Sequence, residues 1–425
     1  MNNNLDLYQK YFDILKEELI ISMGCTEPVA IAYCAARAKD VLCDKVVRVA
    51  VETSGNLIKN AKSVVVPNTG GLCGIKVAAA AGIVAGRSEK LLEVLNDVTE
   101  AQKAEIAAFV SDAVIDVAPA DSDILFDIKV TVYSDKSSAC VRICDHHTNV
   151  VYIEKDGNVI FDKTSAAESD TAETDKSFLS VHNIFDFAEN ADILQLKAAF
   201  EQQYDYNMAI AQEGLRGSYG AQIGKIVLKS NPGDVKSRCI SMAAAASDAR
   251  MSGCEMGVVI NSGSGNQGIT SSVPVIVYAT EKGFAEEKMY RALAVSALVT
   301  VYQKSFIGKL SAFCGAVSAG AASAAAIAYL EKNTVEAVEA TLINTLAVTS
   351  GLICDGAKAS CAGKIATALE AGFRGYEMYC NGYVFCDGDG IIKSDCDKTV
   401  QSVGRLAKQG MNHTDKVILD IMTSM

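Results

Sequence analysis

The chain carries little charge and gathers it nowhere. Only 21% of its 425 residues are charged, 50% are hydrophobic, and the net charge is −12. There is no basic stripe and no run of like charge, which argues against a nucleic-acid partner. The acidic balance implies solubility and little else. The opening residues, "MNNNLDLYQKYFDILKEELI", lack a basic segment followed by an apolar core. No secretory leader is therefore expected, and a cytoplasmic location is. No repeat of about 20–50 residues persists. One uncharged stretch, Leu310 to Leu330, is long enough to cross a bilayer. It is dominated by Ala, Ser and Gly, which insert weakly. It reads as a buried central helix, and no membrane partner is expected.

What the chain does have is cysteine, fourteen in all. Without an export signal these are expected as reduced thiols, most of them small buried hydrophobes. A chain of this length needs no disulfide staples.

The pattern predicts an α+β protein: a small mixed α/β domain with a largely antiparallel sheet, plus a larger all-α domain. Residues 1–43 read as a helical hairpin packing on the C-terminal domain. It is broken at "SMGCTEP", with Pro28 in the first turn of the second helix. Residues 44–165 read as the α+β domain. Strands are expected at "VVRVAVET", "SVVVP", "AVIDVAPA", "ILFDIKVTVYSD", "SACVRICDH" and "VVYIEKDGNVIF". Residues 166–180 fall in a polar linker. Residues 181–425 read as helices only, dense in Ala and Gly. Small side chains let such helices approach closely, which suits both a compact cofactor and a homodimer.

Two segments of that domain combine thiols with helix starts, "GKLSAFCGAVSAG" and "GLICDGAKASCAGK". On one continuous helix Cys354 and Cys361 would stand about 10 Å apart. Asp355-Gly356 breaks the run and lets Cys354 fold back. With Cys314, all three thiols are then expected near helix N-termini, where the dipole favours thiolate. Thiolates ligate soft metals. Three are too few for a closed structural zinc site, and no C-x-x-C or histidine pair lies nearby. Three on a [4Fe–4S] cluster would leave one iron open, or filled by a distant thiol. Spacing alone favours three buried structural cysteines over the cluster.

Six segments occur in order along nearly the whole chain: "MGCTEPVAIA", "VVVPNTGG", "NSGSGNQGITSSVPV", "FCGAVSAG", "CDGAKASCAGK" and "GMNHTDKVILDIM". Together they resemble the L-cysteine desulfidase family, relatives of the iron–sulfur L-serine dehydratases. The resemblance implies a pyridoxal-independent lyase acting on a small amino acid. Its [4Fe–4S] cluster would be held by Cys314, Cys354 and Cys361. Cys25 would be a fourth ligand or a catalytic base. Some related dehydratases carry a cysteine at the extreme C-terminus. This chain ends "DIMTSM", which favours cysteine desulfidation over L-serine dehydration.

The chemistry so implied needs the amino acid's carboxylate and amine pinned, with a base close to the α-carbon. The loop "GSGNQG", Gly263 to Gly268, matches G-x-G-x-x-G but has no βαβ surroundings, so a nicotinamide site is disfavoured. It reads either as an anion-binding turn, with Ser264, Gly265, Asn266 and Gln267 as substrate contacts, or as a tight turn between packed helices. It also resembles the phosphate loop of pyridoxal-dependent β-eliminating lyases. That alternative needs a lysine in an α/β domain, whereas the surroundings of Lys225, Lys229 and Lys236 read as helix. "VPNTGG" reads as a second anion cradle, with Asn68 and Thr69 as substrate contacts. His147 is a further candidate contact, although its polar neighbours favour a surface-turn histidine. A non-catalytic, cysteine-rich metal-binding scaffold remains the alternative of a different class.

Overall fold

A computed structural model of the chain describes residues 2–122, 124–164, 174–308 and 310–423. Residues 166–173 of the expected linker lie outside the described residues. The fold is α+β, with two buried cores that meet along a cleft.

The first core lies under a six-stranded sheet. Its spatial order is Val114–Pro119, Arg48–Thr53, Asp127–Tyr133, Ser138–Cys144, Val150–Lys155 and Asn158–Asp162. Only the first two strands run parallel. A parallel pair needs a crossover, supplied here by the helices Gly55–Ala61, Ile75–Val84 and Glu100–Asp112. Alternate residues Ile128, Val130 and Val132 turn inward against helix Thr26–Leu42. Gly82 lets helix Ile75–Val84 lie against that same helix, because a Cβ there would sit 2.1 Å from the Ala32 carbonyl oxygen.

The second core is helical. Its centre is helix Gly315–Lys332, buried from Ala316 to Leu330 and surrounded by helices Gly265–Lys282, Glu286–Ile307, Val335–Thr349 and Ser360–Cys380. The uncharged stretch noted above is thus an interior helix. Among the described residues no helix is long and apolar enough to cross a membrane.

Three local expectations are corrected. The N-terminal helices do not pack as one hairpin on the helical half. Tyr11, Ile14 and Leu15 of the first join the helical core, whereas Val29, Ile31 and Ala35 of the second join the sheet core. "SVVVP" makes only a single bridge, Val65 to Cys73. The Val66 N–H donates to the Leu72 carbonyl and Thr69 Oγ1 to that of Val66. Its valines serve burial in a tight loop and build no strand. Finally, the C-terminal half is not purely helical. Gly257–Val259 forms an antiparallel ribbon with Ile21–Met23. Three residues per strand are too few to leave a period-2 pattern in the sequence.

Candidate active site

The ribbon places the first two site motifs. Pairing of Ile21 with Val259 and Met23 with Gly257 sets the turn at Cys25 beside the loop at Ser264. Thr26 Oγ1 donates to the Gly263 carbonyl at 3.2 Å and ties the two together. Pro67 backs the turn, since a Cβ on Gly24 would meet Pro67 Cγ at 2.3 Å.

A second small ladder places the cysteines of the helical half. Phe313 bridges Ile353 antiparallel, the Cys314 N–H donates to the Leu352 carbonyl at 3.0 Å, and the Cys354 N–H donates to that of Ala312 at 2.6 Å. Cys314 and Cys354 therefore emerge side by side. After Cys354 the chain turns at Gly356, with φ of 95°, and enters helix Ser360–Cys380 with Cys361 in its first turn. The Cys361 thiol points back toward the Gly356 carbonyl at 3.7 Å. Asp355 is clasped by Lys358 and Lys364, and Lys364 also donates to the Ile353 carbonyl at 2.9 Å. Burial pushes the Asp355 carboxyl up, but the two ammonium groups outweigh it and hold its pKa at about 2.

Cys25, Cys314, Cys354 and Cys361 all line one cleft of about 110 Å³. The sheet half contributes Cys25, Glu27, Lys59 and Asn60. The helical half contributes the other three cysteines with Arg250, Ser264, Asn266, Gln267, Lys304 and Phe313. Three of the helices that start at this cleft are Thr26–Leu42, Gly265–Lys282 and Gly315–Lys332. Their N-cap residues Cys25, Ser264 and Cys314 make no side-chain cap hydrogen bond. First-turn N–H groups with no capping partner make the surroundings electropositive.

Burial nevertheless outweighs the helix field at the thiols. It pushes Cys314 up to about 12, with a further rise from Cys354, and the Ala316 amide offsets only part of this. Burial likewise raises Cys361. It raises Cys25 well above the usual thiol value, helped by the neighbouring Glu27 carboxylate. Without a bound cation these thiols keep their protons, contrary to the expectation from helix N-termini. Cys354, moreover, sits in the loop and not at a helix start.

Glu27 is the centre of a buried polar knot. Its Oε2 accepts from Cys25 Sγ and Thr26 Oγ1, both at 3.0 Å, and its Oε1 accepts from Asn60 Nδ2 at 2.9 Å. Burial favours the protonated acid, but His147 first, then the hydrogen bonds and Arg250, hold its pKa below the ordinary value. Lys304 is a second buried cation, brought down to about 8 by burial, with Cys354 and Cys314 pulling the other way.

The expected contacts divide. Ser264, Asn266 and Gln267 line the cleft, with Gly265 in the same turn. His147 stands behind it. Its ring packs edge-on to Phe126 at 4.7 Å, and its Cε1 would lie 3.3 Å from a Cβ on Gly263. Asn68 and Thr69 are not among the lining residues. Asn68 Nδ2 donates to the Leu95 carbonyl at 2.7 Å, and Thr69 Oγ1 closes its own loop. "VPNTGG" instead buttresses the Cys25 turn through Pro67, from outside the cleft. Lys225, Lys229 and Lys236 do not line the cleft either. Sequence reasoning missed Glu27, Asn60, Lys59, Arg250 and Lys304. Only Glu27 carried a signal, because it sits inside "GCTEP".

Among the described residues, no three His, Cys, Asp or Glu side chains gather closely enough to hold a single metal ion. An all-sulfur donor set spread around one cavity is instead what a polynuclear cluster requires, each thiolate taking a different iron. The residues present fit the [4Fe–4S] group.

Fold and site together define the class: a two-core α+β protein whose site is a thiol-lined cleft at the seam. Residues 89–420 match the family model described as serine dehydratase alpha chain. The chain is 51% identical over 415 residues to a UPF0597 protein of Desulfitobacterium hafniense, covering 98% of this chain and 96% of that one. It is 46% identical to a UPF0597 protein of Lachnoclostridium phytofermentans (98% and 100% covered) and 44% identical to one of Treponema denticola (98% of each). The chain belongs to the serine dehydratase alpha chain family.

Proposed function

We propose that the protein is a pyridoxal-independent iron–sulfur lyase that removes the β-substituent of a small L-amino acid. The preferred substrate is L-cysteine, and the products are sulfide, ammonia and pyruvate. The observation that carries this reading is that thiols from three distant motifs, at Cys25, Cys314 and Cys354/Cys361, line one cleft together with the polar residues Ser264, Asn266 and Gln267. Cys314, Cys354 and Cys361 would hold the [4Fe–4S] cluster, with Cys25 as a fourth ligand or a base. When bound, the cluster supplies a Lewis acid for the departing β-substituent.

The chain's own part is positioning and proton handling. Ser264, Gly265, Asn266 and Gln267 offer backbone and side-chain groups that orient the amino acid. Lys304, beside Cys314 and Cys354, offsets negative charge gathered at the sulfurs. Cys25 and Glu27 share a proton that rests on sulfur, because burial and Glu27 both disfavour the thiolate. For Cys25 to accept the α-proton, that proton must first leave, and Glu27 Oε2 is the acceptor at hand.

L-Serine is the second reading, favoured by the family description. The same carbanion chemistry would expel hydroxide in place of hydrosulfide. Protein purified without oxygen should be brown, carry about four irons and four sulfides per chain, and release pyruvate faster from L-cysteine than from L-serine. Colourless protein with tight zinc would point to a scaffold instead. Cys25→Ala should lower turnover by two orders of magnitude or more with iron content retained. Full turnover in that variant would remove Cys25 from the base role.

A further inference from the structure

We propose that Arg250, lying over the uncapped first turn of helix Gly265–Lys282, is the docking point for the carboxylate of a free α-amino acid. The amide oxygens around it take the ammonium group. This rests on the lyase reading and names which end of the substrate goes where.

Arg250 is 3% exposed and lines the cleft, and its side chain forms no hydrogen bond or ion pair with any described residue; its Nε is buried without a partner. Its Nε has given up water with no hydrogen bond in exchange, a cost that a partner arriving later would offset. Glu27 is within electrostatic reach, but its oxygens are already taken by Cys25, Thr26 and Asn60.

The helix start beneath Arg250 is equally unfinished. Ser264 supplies no side-chain cap, so the first-turn N–H groups remain available to an anion. Gly265 makes the juxtaposition possible, because a Cβ there would lie 2.4 Å from Arg250 Nε. Around this cationic spot sit three amide oxygens with no donor: Oδ1 of Asn60, Oδ1 of Asn266 and Oε1 of Gln267. An orphan cation flanked by orphan acceptors is the complement of a zwitterion. A molecule with carboxylate and ammonium on one carbon satisfies both sets at once, whereas a simple anion or amine satisfies only one.

The test is binding of unreactive fragments to full-length, anaerobically purified protein, followed by saturation-transfer NMR titration. L-Alanine has both charged groups and no leaving group, propionate keeps only the carboxylate, and ethylamine keeps only the ammonium. Arg250→Gln should weaken L-alanine and propionate at least tenfold and leave ethylamine within twofold. Arg250→Lys, which keeps the charge but loses the planar fork, should fall between. Circular dichroism confirms the fold of each variant. Wild-type affinity for L-alanine in Arg250→Gln, or equal losses for all three ligands, would overturn the assignment while leaving the lyase reading intact. Failure of wild-type protein to bind L-alanine at all would remove the lyase reading and the assignment with it.

Discussion

Single residues in the cleft carry more cost than their burial alone explains. Lys304 is 7% exposed, and burial brings its pKa down to about 8 from 10.5. A lysine held below its unfolded pKa binds fewer protons in the native state. Stability of the metal-free protein should therefore rise as pH climbs from 8 towards 10.5. Below pH 8 the full penalty applies, on the order of 3 kcal/mol. Lys304→Met should accordingly raise the melting temperature of metal-free protein at pH 7, with the gain shrinking above pH 8. A fixed gain across that range would show that packing, and not charge, is responsible. The cost is understandable if Lys304 answers the negative charge of thiolates at Cys314 and Cys354, which is absent from the metal-free state.

At the scale of elements, small residues decide which helices can touch. Gly82 packs helix Ile75–Val84 against the Ala32 backbone, the contact that seats the helix begun by Cys25. Gly82→Ala forces a shift of backbone and not merely of a side chain. It should cost about 1–3 kcal/mol in thermal or urea unfolding. An unchanged melting curve would mean that the two helices are not held at that distance. The elements also show what the sequence made legible. Cys314, Cys354 and Cys361 could be singled out because glycine turns and alanine-rich helices flank them, and both are local patterns. The alternating strand Asp127–Tyr133 was readable for the same reason. Arg250 and Lys304 were not, because each lies within a helix and gains its meaning only from what packs opposite. The Asn68–Thr69 loop misled because a glycine-rich turn before a helix looks the same whether it cradles an anion or props a neighbouring turn. The Ile21–Met23 ribbon is too short to announce itself, yet it sets Cys25 beside Ser264.

Across the whole molecule, the C-terminal helix Asn412–Thr423 fastens the two halves together. Lys59 on helix Gly55–Ala61 pairs with Asp415 and donates to the Cys354 carbonyl at 3.3 Å. Lys62 donates to the Met422 carbonyl at 2.6 Å, and Leu419 fills the space beside Gly55. The Lys59 side chain is almost fully buried, so removing its counter-ion leaves an ammonium held by a single carbonyl. Asp415→Ala should cost up to about 3 kcal/mol. Amide exchange across residues 353–361 should quicken at least tenfold in metal-free protein, while strand Ser138–Cys144 keeps its protection. Unaltered exchange in that loop would show that the pair does not hold it.

Cys25 begins a helix rooted in the sheet core, while Cys314, Cys354 and Cys361 are rooted in the helical one. A slight parting of the halves would carry the Cys25 thiol away from the other three, which would keep their places. Cys25 is also the thiol next to the Ser264 turn. Architecture, rather than any difference between the thiols themselves, thus sets Cys25 apart from its three companions.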